Sequence, residues 1–401
     1  MTKEQKALIK ATVPVLQEHG VLLTKHFYQR MFTHNPELKN MFNLGNQQNG
    51  KQQTALAMAV LAYAEQIDNP GVLMPVINTI GHKHTSLDIR PEHYHIVGKH
   101  LLASISEVLG PDATPELLAA WKVAYEQLAK IMSGHESTLY SDQVNKTGGW
   151  SGWRPFIVKD KVRESAEITS FFLYPADGGT VADFIPGQYI SIRMFLPQLN
   201  LSQPRQYSIS SMPNGTYYRI SVKKETGSSH PSGIISNTLH DEVKIGDKID
   251  VSAPAGTFML DSDRSRPLYF VSGGVGLTPL MSMLETALKD NPGQQKTWIH
   301  GCKSSDAHAF KRCLAEWNNK YNELDCHIFY DEAAPVIAAM RQYQGWVDLG
   351  LISGIPNQKA DYYLCGPAAF IKKHYDFLTE QGVPKEAIRF EEFGPASLEI
   401  H

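Results

Sequence analysis

Four short runs in the second half of the chain hold residue types that handle phosphates and flat rings. They are RQYS at 205–208, SGGVGLTP at 272–279, LCGP at 364–367 and EEFGP at 391–395. SGGVG ends a strand-like run and opens a helix at Leu277 and Thr278, so the backbone N–H groups of Gly273, Gly274, Val275 and Gly276 and the helix dipole can hold a pyrophosphate. The glycines do not follow G-x-G-x-x-G, which separates the turn from the usual Rossmann fingerprint. In RQYS, Arg205 can neutralise a phosphate, Tyr207 offers an aromatic face to a flat heterocycle, and Ser208 can hydrogen-bond its edge. In LCGP, Cys365 reads by itself as a small apolar strand-end residue. Each run alone is as compatible with structure as with chemistry; their order along one chain is the informative feature.

A different chemistry is suggested by GHKHTS at 81–86. Leu73, Ile77, Ile80, His84 and Leu87 recur at steps of four, three, four and three, which puts His84 on an apolar helical stripe. His82 falls with Asn78, Thr79 and Ser86 on the polar face. An imidazole on an apolar stripe is either a satisfied core histidine or a metal ligand, and spacing alone leaves both open.

The elements that must position these groups change character along the chain. Residues 1–145 carry helical periodicity: Gln52, Leu56, Ala59 and Tyr63 share one face, and a helix from about Thr114 to Glu136 places Leu118, Trp121, Tyr125 and Leu128 on another. Glycines in KTGGWSGW at 146–153 mark a linker. Residues 152–262 hold β-branched and aromatic runs (FIVKDKV, YISIRMF, YYRISVK, DKIDVSA) separated by Gly, Pro and Asn turns, the pattern of a small antiparallel barrel. From 263 to 401 strands alternate with helices, which implies a parallel sheet with helices on its faces.

Composition narrows the function classes. A length of 401 residues requires two or three domains. With 42% apolar and 20% charged residues and a formal charge of −3, the chain reads as globular and has no basic footprint for nucleic acid. The polar start MTKEQKALIK lacks a signal-peptide core, and no run of about 18 apolar residues could span a bilayer, so a cytoplasmic location is expected. Cys302, Cys313, Cys326 and Cys365 form no C-x-x-C pair, which argues against a disulfide framework, a zinc site, covalent c-type haem or an all-cysteine iron–sulfur cluster.

With PGQY at 186–189, SGIISN at 232–237 and the C-terminal FGP, the four runs make the last 250 or so residues resemble the ferredoxin-NADP reductase superfamily. That resemblance implies FAD among Tyr189, Arg205, Gln206, Tyr207 and Ser208, with Gly233, Ser236 and Asn237 near its phosphates and Phe393 near its ring. Glu392, Gly394 and Pro395 belong to the same C-terminal motif. It also implies NAD(P)H on the parallel sheet, with the stretch from Gly273 to Thr278 at its phosphates and Cys365, Gly366 and Pro367 near the nicotinamide, Cys365 positioning rather than attacking. Lys303 is a possible 2′-phosphate partner without an accompanying Arg, which tilts the expectation toward NADH.

Over its whole length the chain resembles the flavohaemoglobins, through HFYQRMF, KNMFN, KHTS, PEHYHIVG and the GGW junction in order. The expected architecture is therefore an all-α globin domain, an antiparallel β-barrel FAD domain and an α/β NAD(P)-binding domain. The family makes His84 the proximal ligand of haem b iron, with Tyr94 and Glu136 behind it. It places Tyr28, Gln52 and Leu56 on the distal side, Phe42 at the haem edge, and Lys83 and Glu391 near a domain interface. The implied activity is nitric oxide dioxygenation: NAD(P)H reduces FAD, FAD reduces haem iron, and nitric oxide and dioxygen yield nitrate, in a monomer that needs no protein partner. Two alternatives stay open, an oxygen or nitric oxide sensor whose reductase keeps iron ferrous, and a general ferric, hydroperoxide or quinone reductase.

Overall fold

The structure is a computed structural model that describes residues 1–48, 50–227, 233–261, 265–333, 335–337 and 339–393. By compactness it falls into two units, Met1–Trp153 with Ser191–Arg205, and Arg154–Ile190 with the chain from Gln206 onward.

The first unit is helical: α1 Lys3–Ala11, α2 Val13–His34, α3 Leu44–Gln48, α4 Lys51–Glu65, α5 Met74–Ser86, α6 Pro91–Leu109 and α7 Pro115–Asn145. Local chemistry sets the starts. Thr2 and Gln5 form a capping box on α1, the Thr114 hydroxyl accepts from Leu117 N–H at α7, and prolines occupy the first turn of α2, α5, α6 and α7, where no amide partner is needed. The core runs through Phe27, Met31, Tyr63, Ile105, Trp121 and Ala124. α7 continues nine residues beyond Glu136, where the sequence suggested its end, because its last turns keep packing side chains such as Gln143 and Tyr140, whose hydroxyl donates to Ile89 O at 2.7 Å. Residues 191–205 belong to this unit by real contacts: Ser202 N–H donates to Asn40 Oδ1 at 2.7 Å, Gln203 Nε2 to Lys39 O at 2.9 Å, and Ser191 to Ser86 at 3.0 Å.

The antiparallel strands are β1 Trp153–Arg163, β2 Ile168–Pro175, β3 Tyr189–Leu196, β4 Leu201–Ser208, β5 Tyr218–Lys223 and β6 Lys248–Ser252, with α8 Ile234–Asp241 before the last. Among the described residues their order is β4-β3-β6-β1-β2-β5. An antiparallel bridge between Ile209 and Ile220 joins the end of β4 to β5, closing the sheet into the expected barrel.

The rest of the chain adds β7 Leu268–Gly273, α9 Leu277–Asp290, β8 Lys296–Cys302, α10 Lys311–Lys320, β9 Leu324–Tyr330, β10 Arg341–Gln344, β11 Asp361–Gly366, α11 Ala368–Glu380 and β12 Ile388–Glu392. These strands form a parallel sheet in the order β10-β9-β8-β7-β11-β12. Period-two alternation splits its core: Leu268 and Phe270 pack on the α9 and α10 side, while Tyr269 and Val271 pack on the α11 side. The chain runs outward from β7 to β10, then returns to β11 on the other side of β7. That reversal opens a crevice at the carboxyl ends of β7 and β11, where open α/β sheets take their ligands.

Candidate functional site

His84 stands in the last turn of α5, and its surroundings come from two other helices. Its Nδ1 lies 2.7 Å from Glu136 Oε1 on α7 and 3.1 Å from the Tyr94 hydroxyl on α6. Tyr94 also donates to Glu136 Oε1, at 2.5 Å. Glu136 is only 2% exposed, so these two donors take the place of water around its carboxylate. Burial and the neighbouring Glu136 push the Tyr94 phenol well above its usual range, which keeps it a donor. In the tautomer that gives Nδ1–H to this carboxylate, Nε2 carries the lone pair, as a metal-binding imidazole requires.

Tyr28, on α2, is 6% exposed, and burial raises its phenol strongly although the Gln52 side chain hydrogen-bonds it. Phe42 meets it edge-on at 5.8 Å and Phe32 stacks on it at 5.9 Å. On α4 the buried residues are Gln53, Ala57, Val60, Tyr63 and Ala64; of the expected face Tyr63 is buried, while Gln52, Leu56 and Ala59 are half-buried. Gln53, polar in sequence, turns inward: its side-chain amide donates to Gln47 Oε1 at 3.0 Å, and its main-chain carbonyl accepts from the Thr24 hydroxyl at 2.8 Å. An imidazole with its Nε2 lone pair available, a buried phenol and half-buried Phe42 and Leu56 form a donor set that fits haem held by one histidine. Lys83, next to His84, is half-buried, and burial lowers its amine.

In the second unit, Tyr189 opens β3 and exchanges two backbone hydrogen bonds with Ala255, both 2.9 Å. Its ring lies over Gly256, φ +119°, where an added Cβ would come within 3.0 Å of it. Ile209 N–H donates to Gln188 O at 3.0 Å, which sets the end of β4, with Gln206 exposed, Tyr207 half-buried and Ser208 buried, beside the start of β3. Arg205, the last residue of the first unit, donates to Pro204 O at 2.7 Å. Gly233 caps α8 without a side-chain cap, Ser236 Oγ donates to Gly233 O at 2.9 Å, and Asn237 Nδ2 donates to Glu225 O at 3.1 Å. Asn237 Oδ1 is buried and has no hydrogen-bond partner among the described residues. An uncapped helix start suits a phosphate.

At the sheet crevice, the turn Gly274–Gly276 carries β7 into α9, whose N-cap also lacks a side-chain hydrogen bond. Gly274 has φ +55° with open space where its side chain would be. A Cβ on Gly276 would sit 2.2 Å from Cys365 O, so the turn lies directly on the end of β11. Thr278 Oγ1 donates to Val275 O at 3.1 Å and closes the turn. Cys365 is fully buried, and burial together with Glu391 raises its thiol well above the usual range, which keeps it protonated. Glu391 is its partner across β12; its Oε2 is buried without a hydrogen bond among the described residues, and burial pushes its carboxyl up to about 8. Gly366 pairs with Glu392, Pro367 caps α11, and Phe393 is 40% exposed. Gly394 and Pro395 lie outside the described residues. Lys303 is exposed, 3.6 Å from Glu332 Oε1. Lys83 and Glu391 lie in different units.

A helical domain with a carboxylate-supported histidine, followed by an antiparallel barrel and a switch-point α/β sheet, defines a haem domain fused to a flavin- and nicotinamide-dependent reductase. Family comparison agrees: residues 25–132 match the globin family, 155–260 the oxidoreductase FAD-binding domain and 270–375 the oxidoreductase NAD-binding domain. The flavohemoprotein of Bordetella parapertussis is 50% identical over 99% of this chain and 100% of its own, and that of Rhizobium meliloti 48% identical over 98% of each. The crystal structure of the Malassezia yamatoensis flavohemoglobin with bound FAD and haem superposes with a TM-score of 0.83 at 25% identity, covering 98% of this chain and 99% of that one. The FAD/NAD-binding domain of a Vibrio cholerae nitric oxide dioxygenase, 38% identical, matches 60% of this chain and 99% of its own with a TM-score of 0.56. The chain belongs to the flavohemoprotein family, and its cofactor set is haem, FAD and a nicotinamide nucleotide. No helix among the described residues is long and apolar enough to cross a membrane.

Sequence reasoning placed Asn78 and Tyr125 on helix faces without seeing their hydrogen bonds, Asn78 Oδ1 with His135 Nε2 at 2.9 Å and the Tyr125 hydroxyl to Tyr94 O at 2.6 Å, and did not single out Gln47, which faces Gln53. The Tyr125 bond had a legible signal: Tyr125, Ala129, Met132 and Glu136 recur at helical steps on one face of α7.

Proposed function

We propose that the protein is an NAD(P)H-dependent nitric oxide dioxygenase that detoxifies nitric oxide by converting it, with dioxygen, to nitrate. The observation that carries this reading is the 2.7 Å hydrogen bond from His84 to a buried carboxylate, on the same chain as a complete flavin reductase. When bound, haem supplies the dioxygen site and FAD splits the two electrons of a hydride into single electrons.

The chain's residues set the terms for both. Glu136 accepts the His84 Nδ1 proton and gives the imidazole anionic character, which favours activating dioxygen over storing it. Tyr94 holds that carboxylate in place. Tyr28, kept protonated by burial, donates a hydrogen bond to charge developing on the oxygen side, with Gln52 as its partner and Leu56 and Phe42 excluding water. In residues 152–262, Tyr189, Arg205, Gln206, Tyr207 and Ser208 orient the flavin, and Gly233, Ser236 and Asn237 hold its phosphates. In residues 263–401, the backbone from Gly273 to Thr278 holds the nicotinamide nucleotide's phosphates, while Cys365, Gly366, Pro367 and the C-terminal Glu392 to Pro395 motif frame the nicotinamide and flavin ring. Lys83 and Glu391 assist electron passage between haem and flavin. The protein acts in the cytoplasm as a monomer without a protein partner.

Steady-state turnover of one holoenzyme preparation with nitric oxide, ferric citrate, cumene hydroperoxide and a soluble quinone, at matched oxygen and NADH, tests this function. Nitric oxide is expected to be consumed with the highest kcat/KM; a higher value for any other acceptor overturns it.

A further inference from the structure

Three consecutive residues just beyond the end of β4 are each tied to α9, the helix that begins at the Gly274–Gly276 turn. The Ser210 carbonyl accepts from Arg219 Nη2, and the same nitrogen reaches Glu285 Oε1 at 2.7 Å. The Ser211 carbonyl accepts from Ser282 Oγ at 2.7 Å, and the Met212 N–H donates to Glu285 Oε2 at 2.8 Å. Ser282 and Glu285, three residues apart, stand on one face of α9. Both oxygens of the Glu285 carboxylate are therefore committed to the barrel.

Arg219, on β5, is itself fixed. Its Nε donates to Ser210 Oγ at 3.2 Å, its carbonyl accepts from the Ser210 N–H at 2.8 Å, and its guanidinium lies 5.1 Å from the centre of the Phe310 ring at the N-cap of α10. Behind Ser210 a file of buried hydroxyls, Ser221 then Ser170, runs in steps of 2.7 Å to the Glu164 carboxyl. Serving a carbonyl, a hydroxyl and a carboxylate while lying over a ring takes the planar fork of arginine, which a lysine ammonium lacks. The Arg219 and Glu285 side chains are 13% and 14% exposed, and a buried pair of this kind adds little net stability over an apolar contact. What it supplies is a fixed geometry. Hydride transfer demands one, since the reacting atoms must come within about 3–3.5 Å and a misplacement of about 1 Å can cost on the order of a hundredfold in rate. Here the two cofactor rings depend on different elements, the end of β4 at Tyr207 and Ser208 and the start of α9.

We propose that Arg219 and Glu285 are positioning residues for hydride transfer, an ion pair that fixes the flavin-bearing end of β4 against the nucleotide-bearing helix α9. In that step the C4–H bond of NADH breaks and the hydrogen leaves with its electron pair to bond the flavin, so NADH is oxidised to NAD+ as FAD is reduced. The pair acts through the main chain of Ser210 and Met212. The inference rests on the proposed placement of FAD at Tyr207 and Ser208 and of the nicotinamide nucleotide at Gly273 to Thr278.

The test is anaerobic stopped-flow reduction of the holoenzyme flavin by NADH and by NADH deuterated at C4, in wild type, Glu285→Gln, Arg219→Gln, the double variant and the charge-conserving Glu285→Asp. FAD content, the Kd for NADH and the long-wavelength charge-transfer absorbance of the stacked rings are read alongside. Glu285→Gln should keep its FAD and its Kd while the limiting rate falls on the order of ten- to a hundredfold, remains slower with deuterium, and is accompanied by a weaker charge-transfer absorbance. The double variant should be no slower than the slower single variant, the coupling expected of residues acting through one contact, and Glu285→Asp should fall between wild type and Glu285→Gln. A wild-type limiting rate in Glu285→Gln, a slowing insensitive to deuterium, or losses that multiply in the double variant would each overturn the proposal. So would loss of FAD or of NADH affinity in Glu285→Gln and Glu285→Asp alike, by making the pair a packing contact. A wild-type protein whose bound flavin is not reduced by NADH would instead overturn the cofactor placement.

Discussion

Glu136 holds two donors on one oxygen, Tyr94 at 2.5 Å and His84 at 2.7 Å, each the usual length of a charge-assisted hydrogen bond for its donor type. His84→Ala should leave a folded flavoprotein without haem, read as loss of the Soret band at unchanged FAD content; retained haem would refute the ligand assignment. Tyr28→Phe should keep haem but lose one charge-assisted hydrogen bond, worth about 1.5–3 kcal/mol. The oxygen dissociation rate should rise on the order of ten- to a hundredfold, and stopped-flow oxygen release at the wild-type rate would remove Tyr28 from the distal side. His84 was legible in the sequence because its stripe is local. Ser86 was not: it reads as a polar-face residue, yet it is buried and accepts a hydrogen bond from Ser191, outside its own helix.

At the scale of elements, the turn between β7 and α9 is a tight junction. Gly276→Ala would drive a methyl group into the Cys365 carbonyl, backbone that cannot yield as a side chain can. Overpacking of that kind costs about 1–3 kcal/mol. With the turn displaced from the crevice, KM for NADH should rise on the order of tenfold while FAD content stays; unchanged KM would move the phosphate site elsewhere. The parallel sheet also carries a pH dependence. His300 on β8 and His374 on α11 are each 1% exposed, and burial lowers both from 6.5 to about 4. Between those values the unfolded chain binds the protons the fold excludes, so stability falls as pH falls, by up to roughly 1.4 kcal/mol per unit for each histidine. Glu391, raised from 4.5 to about 8, acts oppositely by keeping a proton the unfolded chain releases, and it offsets one of the two. The urea midpoint of the flavin unit should therefore be lower at pH 5 than at pH 7, and His374→Gln should flatten the difference; an equal or higher midpoint at pH 5 would contradict the burial of these rings. Strand and helix order were readable here because period-two and helical patterns are local. The extension of α7 to Asn145 and the attachment of residues 191–205 to the helices were not, since both depend on contacts such as Tyr140 with Ile89 and Ser202 with Asn40.

Across the whole molecule, each part needs the others. A hydride donor and a one-electron haem centre cannot exchange electrons without a flavin between them, which is the chemical reason for a globin and a reductase on one chain. On the proposed reading, the carboxylate beside His84 favours spending those electrons on dioxygen over merely keeping iron ferrous. The most direct measurement is nitric oxide loss by the haem- and FAD-loaded protein with NADH, in the presence and absence of oxygen, with nitrate quantified. Rapid loss that requires oxygen and returns one nitrate for each nitric oxide is the predicted result. Loss that proceeds equally without oxygen, or that leaves no matching nitrate, would contradict the dioxygenase function.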